Sequence, residues 1–128
     1  MKVATNPKNQ VSSKPRKQRK AFHQGPLHHK KRAIRAHVND ELMEKYDLWT
    51  IRVHKGDTVK IMRGGYKGHT AKVTEVDTKR RVLFIEKVTS VKADGKETPR
   101  PVHPSNVLVT KLDLTDPYRK RKLEERSK

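Results

Sequence analysis

A glycine-rich basic loop near the middle of this sequence carries residue types that suit contact with phosphate. Arg63 and Lys67 supply two cations, and Tyr66 offers a flat aromatic face between them. Three glycines within five residues allow the backbone to turn tightly and to approach a partner closely; they are Gly64, Gly65 and Gly68. The composition predicts a phosphate-binding loop in which Tyr66 is exposed.

A second candidate site lies in the first 39 residues, which contain eleven Lys or Arg and no acidic residue. Arg binds phosphate as a bidentate fork, whereas Lys acts as a point charge. Because a flat duplex needs only one charged face, cations on all sides favour insertion into a crevice of folded RNA. The predicted contacts are Lys14, Arg16, Lys17, Arg19, Lys20, Lys30, Lys31, Arg32 and Arg35. A nuclear-localisation signal or a nonspecific basic arm is the alternative interpretation.

The distribution of charge favours an anionic partner. The 128 residues have a formal net charge of +18, but residues 40–116 hold fifteen basic and twelve acidic residues and most of the aliphatic ones. The excess charge lies in the two ends, where counterion release makes binding to phosphate favourable. No apolar run approaches the ~18 residues of a membrane span, and the basic stretches lack the apolar stripe of an interfacial helix. We therefore expect a nucleic acid partner and no membrane.

Catalysis and metal binding are not expected. The sequence has no cysteine and no triad-like motif, and the glycine-rich loop is not followed by the Gly-Lys-Ser/Thr of a P-loop. His23, His28 and His29 with His37 could in principle ligate a metal, but neighbouring cations would repel a divalent ion, so these side chains are expected to stack on bases or to bond to RNA. The prediction is a protein that is not an enzyme and needs no cofactor. The lack of cysteine also fits the cytosol.

Alternation with a period of two predicts the scaffold that positions the loop. Five strands are expected, over residues 50–53, 58–62, 70–76, 81–85 and 106–112. Asp94-Gly95 predicts a hairpin turn between the last two strands, and Pro99, Pro101 and Pro104 restrict that region to an edge or a loop. Short turns between strands suit a small, mainly β barrel.

Helices are expected on either side of this barrel. The first starts at Ser13-Lys14-Pro15 and ends before Gly25-Pro26, and the second covers residues 28–37. The third follows Asn39 and docks on the barrel through Leu42, Met43 and Tyr46.

The predicted domains are therefore a basic extension over 1–39, a docking helix over 40–48, the barrel over 49–115 and a charged helical tail over 116–128. Residues 1–12 are expected to be disordered in isolation. Trp49 is expected to pack against the barrel or the preceding helix.

The central segment resembles the KOW motif. The resemblance rests on Lys55-Gly56-Asp57-Thr58-Val59, Arg63-Gly64, Tyr66-Lys67-Gly68 and Val73. KOW motifs occur in ribosomal proteins, transcription elongation factors and some RNA-processing factors. The motif alone therefore implies a small β-barrel and RNA, without a particular task.

Six segments, in order along the chain, resemble the family of large-subunit ribosomal protein twenty-four in its archaeal form, whose eukaryotic relative is ribosomal protein twenty-six. They are Lys14–Lys20, Gly25–Arg32, Asp40–Tyr46, Val53–Asp57, His103–Val107 and Thr110–Leu114. The departure from the family is the extra stretch Met1–Ser13. Nearly the whole chain is covered, so this combination is more specific than the KOW segment.

The resemblance implies an SH3-like barrel that binds large-subunit rRNA near its 5′ domain. It also implies an early role in subunit assembly, a place on the cytoplasmic ribosome near the polypeptide exit tunnel, neighbouring ribosomal proteins as partners, and no homo-oligomer. In this family the extension and the KOW loop face RNA. The implied contacts here are the cations and histidines named above with Phe22, Lys55, Arg63, Gly64, Tyr66, Lys67, Gly68 and Lys72.

Two rival classes stay open at this point. A transcription elongation factor could carry the same KOW loop, although it would normally need a further domain to engage the polymerase. A free RNA chaperone with disordered basic arms is the other alternative, and it would bind many RNAs with similar affinity.

Overall fold

A computed structural model describes residues 12–127, and within them the chain is mainly β, as predicted. The eight strands are β1 Arg35–Val38, β2 Thr50–Arg52, β3 Thr58–Ile61, β4 Thr70–Asp77, β5 Val82–Ile85, β6 Thr89–Val91, β7 Glu97–Pro99 and β8 Val107–Lys111. The α-helices are α1 Pro15–Gln24, α2 Leu27–Lys30, α3 Asp40–Tyr46 and α4 Pro117–Arg126. The prediction for residues 1–12 falls almost wholly outside the described part of the chain.

Six strands form one mixed sheet in the order β2-β1-β8-β3-β4-β5, while β6 and β7 form a separate hairpin. Only the β1–β8 pairing within the six-stranded sheet is parallel. Alternate residues of the strands point into one core, which includes Val59, Leu83 and Val109 with no exposed surface. Each such side chain contributes about 1.5–3 kcal/mol by its burial. Leu123 of α4 belongs to this core and Tyr66 packs against it, so the core anchors the C-terminal helix and the loop between β3 and β4.

Four of the predicted strands match β3, β4, β5 and β8, and the hairpin turn forms at the predicted Asp94-Gly95. The fifth, over 50–53, is a shorter β2. Helix α3 begins after Asn39 with two acidic residues in its first turn, and Tyr46 is buried against the core. Leu42 and Met43 of the same predicted stripe are partly buried and pack against this core. No helix in residues 12–127 is long and apolar enough to cross a membrane.

The helix predicted over residues 28–37 is wrong in its second half. Helix α2 ends at Lys30, a 3-10 turn spans Lys31–Ala33, and β1 follows. Ile34, Ala36 and Val38 are buried in alternation with Arg35 and His37, which is a strand pattern. Pairing with the distant β8 overrides the local helical tendency. The sheet consequently begins at Arg35, ahead of the predicted domain boundary at residue 39.

Trp49 does not pack as predicted, because 73% of its surface is exposed. Its neighbour Leu48 enters the core instead, with 4% exposed. The carbonyl of Trp49 accepts a hydrogen bond from the Val38 amide, which fixes the backbone with the indole pointing outward. Alternation at the start of β2 thus buries Leu48 and exposes the tryptophan.

The C-terminal helix is tied to the barrel by an ion pair that was not predicted from the sequence. The Arg119 guanidinium donates to both carboxylate oxygens of Asp57, at 2.5 and 2.7 Å, and both residues are buried. It also donates to the carbonyls of Asp113 and Arg52. Asp57 in turn accepts the backbone N–H groups of His54 and Asp113, each at 2.9 Å. Helix α4 is therefore part of the folded domain rather than a charged tail.

The glycine of the KOW segment that precedes Asp57 has a structural reason. Gly56 has a φ of 92°, and a Cβ there would lie 2.5 Å from the Asp113 carboxylate. Any larger residue would be strained and would also clash, because Asp113 packs directly over the backbone of this turn.

Burial and the Arg119 charge hold the pKa of nearby His54 below its usual value. Protonation of His54 at mildly acid pH therefore favours the unfolded chain.

Candidate nucleic-acid interface

The KOW loop joins β3 to β4 and presents an open backbone. The amide of Gly68 donates to the carbonyl of Ile61 at 2.8 Å, which closes the loop with Gly68 at a φ of 87°. A Cβ placed at Gly64, Gly65 or Gly68 would meet nothing within 4 Å. Arg63 and Lys67 are exposed on either side. A phosphate can consequently approach this backbone closely while two cations flank it.

Tyr66 is not the freely exposed face that the sequence predicted. Its ring is half-buried against the core, and its hydroxyl donates to the carbonyl of Thr89 at 2.5 Å. His69, at the end of the same loop, contacts the Glu86 carbonyl at 3.2 Å. These two bonds attach the loop to the segment that leads into β6. Tyr66 therefore shapes the loop and keeps only part of its ring for a ligand.

The loop shares a shallow cleft of about 320 Å³ with residues that were not predicted from the sequence. These are Arg100, His103 and Asn106, from the connection between β7 and β8. Arg63 and Tyr66 line the opposite wall. Pro99 and Pro101 are exposed on either side of the exposed Arg100, and a cation between two prolines was a signal available in the sequence. The loop site is therefore wider than the KOW motif alone.

Helix α1 is exposed and buries no residue. At about 100° per residue, Arg16, Lys17, Arg19 and Lys20 share one broad face, and Gln18, Ala21 and Phe22 lie on the other, so the predicted placement of cations on all sides is wrong for this helix. The N-cap residue of α1 is Lys14, and no side chain caps the helix, so the predicted serine cap does not form. The helix ends at Gln24, directly before Gly25, as predicted.

Within residues 12–127, none of the ion pairs involves a cation from Lys14 to Arg35. These charges are available to an anionic partner. We call residues 14–32, which hold α1, α2 and most of these cations, the arm.

Phe22, which is predicted to touch RNA, also attaches α1 to the barrel. The Arg81 guanidinium lies 3.2 Å from the centroid of its ring and donates to its carbonyl oxygen at 2.5 Å. Arg81 is 7% exposed, whereas 49% of Phe22 still faces solvent. A cation stacked on an aromatic face in a partly desolvated site contributes about 1–2 kcal/mol. The arm thus leaves the barrel in a defined direction.

Replacing Arg81 with alanine is expected to release α1 without unfolding the sheet, because the cation–π contact and the bond to the Phe22 carbonyl are both lost. Limited trypsin digestion should then cleave within residues 15–24 several-fold faster than in the wild type. Arg80→Ala is the matched control, since Arg80 is exposed and its side chain pairs with Asp77 within the same β4–β5 turn. Equal cleavage rates in the two variants would show that Arg81 does not hold the arm.

The remaining predicted residues lie on several parts of the fold. The rings of His28 and His29 are 4.3 Å apart on α2 and both are exposed, while His23 packs edge-on against Phe22. Lys30 is half-buried, and Lys31 and Arg32 are exposed. In residues 12–127, no three histidines or carboxylates cluster in a way that could hold a metal.

Three predicted cations belong to the barrel itself. Lys72 lies on β4 opposite Thr58, and Lys55 is exposed in the turn before β3. Arg35 is separated from the arm cations because β1 places it at the sheet, directly opposite Arg52 of β2. The arm, the KOW loop and the edge of the sheet are therefore three distinct cationic regions.

Comparison with known proteins identifies the family. Residues 12–126 match the family of eukaryotic ribosomal proteins L26 and their archaeal counterparts. The chain belongs to this family. Large ribosomal subunit protein uL24 of Haloquadratum walsbyi is 48% identical over 115 residues, which are 90% of this chain and 97% of the relative. The protein of the same name from Saccharolobus solfataricus is also 48% identical, over 92% of this chain and 99% of its own length.

A third relative, uL24 of Methanothrix thermoacetophila, is 49% identical over 87% of this chain and 96% of its own length. Members of this family are ribosomal structural proteins, so the chain is not an enzyme and its place is the cytoplasmic ribosome. The match begins at residue 12, so the first eleven residues lie outside it. The cationic regions are accordingly candidates for an interface with RNA rather than for an active site.

Proposed function

We propose that this protein is a structural component of the large ribosomal subunit that binds large-subunit rRNA through α1, α2 and the KOW loop. The observation that supports the proposal is helix α1, which is exposed and has a broad cationic face that makes no ion pair among the described residues. Such a helix buries too little apolar surface to be stable alone, so a polyanion that binds along its cationic face is the natural partner.

In this binding mode the arm supplies the cations that bind phosphate, and the barrel fixes the direction of the arm. Eight Lys or Arg side chains between Lys14 and Arg32 can each displace a condensed counterion from a phosphate. The barrel is nearly neutral and fixes the direction of the arm through Arg81 and Phe22. In the loop, Arg63 and Lys67 hold a second strand of backbone near the open glycines. Two contacts from one rigid body suit a folded RNA.

The family resemblance supports a finer version of the proposal. The bound RNA is the 5′ domain of large-subunit rRNA, the protein joins early in subunit assembly, and it sits near the polypeptide exit tunnel beside other ribosomal proteins. An arm that enters a crevice of RNA suits early assembly, because the RNA around it must fold after or together with its binding. The names of the relatives place those proteins in the large subunit.

Co-sedimentation with large subunits in high salt tests the proposed function. At about 1 M salt the screening length falls to about 3 Å, so protein held only by surface charges should wash away. We expect this protein to remain with the particle, because RNA encloses its arm. Release at moderate salt, together with equal affinity for unrelated RNAs, would favour a free RNA chaperone and overturn the proposal.

A further inference from the structure

Two arginines face each other at the edge of the sheet without an acidic partner. The register of β1 and β2 places Arg35 directly opposite Arg52, so their side chains leave the same face side by side. Both are exposed, and neither takes part in an ion pair within residues 12–127. Like charges in directly opposed positions destabilise a sheet. An anion bound between them would remove this repulsion.

The arginine pair forms one wall of a cleft of about 640 Å³ between the sheet edge and α4. The helix contributes Lys122 and Arg126 from the other wall, and Ile51 lies on the floor. The carboxylates in the cleft are Asp116 and Glu125. Asp116 is engaged in capping α4 through the Tyr118 amide, and Glu125 lies 3.7 Å from Lys122 in an exposed pair. Cations therefore outnumber acids in the cleft.

Tyr118 adds an aromatic surface to the mouth of this cleft. Sixty per cent of its surface is exposed. The charged groups of Arg121 and Lys122 lie 5.5 and 5.7 Å from the centroid of its ring. An exposed ring beside cations is the combination by which proteins stack a base while holding its phosphate.

The cleft is pre-formed, since both its walls are fixed. The buried pair of Arg119 and Asp57 positions α4 against the barrel, and Arg119 also donates to the Arg52 carbonyl. Leu123, one turn further along, is 5% exposed and belongs to the core. A ligand here would bind without first ordering the helix, so little affinity is lost on binding.

We propose that this cleft is a second RNA site, in which Arg35, Arg52 and Lys122 bind backbone phosphate and Tyr118 stacks on an adjacent base. The inference rests on the proposed binding of large-subunit rRNA and assigns it a contact outside the arm and the KOW loop. An acidic segment of a neighbouring protein could also pair with arginines. RNA is favoured because the exposed ring offers a base a stacking face that an acidic peptide does not need.

The test uses the full-length protein and a large-subunit rRNA fragment over a range of salt concentrations. The cleft variant combines Arg52→Gln with Lys122→Gln, and the matched control combines Lys92→Gln with Lys96→Gln in the exposed β6–β7 hairpin. Arg52 serves the fold through its backbone, by pairing in β2 and by accepting a bond from Arg119. Its side chain makes no hydrogen bond or ion pair within residues 12–127, so the side chain can be changed without loss of those contacts. The cleft variant should flatten the slope of log affinity against log salt by about two units, one per lost phosphate contact, and the control should not.

A second test needs no variant. The unmodified protein is photo-crosslinked to rRNA that contains 5-bromouridine, and the crosslinked peptides are identified. A crosslinked peptide containing Tyr118 is expected. Crosslinks confined to the arm and the loop, or a cleft variant that behaves as the hairpin control, would overturn the inference while leaving the proposed function intact. If wild-type protein shows no preference for rRNA, the proposed function itself fails. A cleft variant that binds naked rRNA normally but is lost from washed subunits would assign the cleft to a protein partner.

Discussion

Replacing Asp57 with alanine is expected to lower the free energy of unfolding by about 3–5 kcal/mol, because it leaves Arg119 as an uncompensated buried charge. The substitution also removes the acceptor of the His54 and Asp113 amides. The free energy of unfolding of a domain of this size is only about 5–15 kcal/mol, so the variant should be close to unfolding. The effect is large because one carboxylate joins the KOW turn, the end of β8 and α4.

Urea unfolding followed by far-UV circular dichroism measures this loss; the fluorescence of Trp49 is a poor probe because the indole is already exposed. Asp77→Ala is the matched control, since Asp77 also pairs with an arginine, at 2.8 Å, but on the surface where water screens the charges. The free energy of unfolding of this control should fall far less than that of Asp57→Ala. If the two variants were destabilised equally, the buried pair would not be what holds α4 to the barrel.

The scaffold could be predicted from the sequence because its signals are local. Alternating apolar residues mark β3, β4, β5 and β8, and Asp94-Gly95 marks the hairpin. Strand β1 was not predicted, since its buried residues alternate with cations in a run that also suits a helix. Its partner β8 lies far along the chain and pairs with it in parallel, which no local pattern reports.

Single side chains at the site were harder to predict, because their partners are distant in sequence. Arg119 looks like one more cation in a charged helix until its partner, 62 residues away, is known. Phe22 meets Arg81 across 59 residues, and Tyr66 bonds to Thr89 across 23. Charge and composition therefore predicted the cationic arm and the loop. They could not predict which aromatic rings the fold would use for itself.

Neutralising the cations of α1 is expected to remove most of the affinity for large-subunit rRNA. The variant replaces Lys14, Arg16, Lys17, Arg19 and Lys20 with glutamine and leaves Phe22 and its contact with Arg81 in place. Each lost phosphate contact lowers the salt slope by about one unit, so the slope should fall by about five. The affinity of a protein with 6–10 phosphate contacts falls by a factor of about 10³–10⁵ between 50 and 200 mM salt, which shows how large the contribution of phosphate contacts is.

In the proposed binding mode, the cations of α1 supply most of the affinity for rRNA, and the barrel holds this helix in position. The most direct measurement compares the salt dependence of rRNA affinity for the wild type, the α1 glutamine variant and a control with Lys14, Lys17 and Lys20 changed to arginine. The control should keep the wild-type slope because its charge is unchanged, whereas the glutamine variant should lose about five units. A glutamine variant with wild-type affinity and slope would contradict the claim and leave binding to the barrel alone.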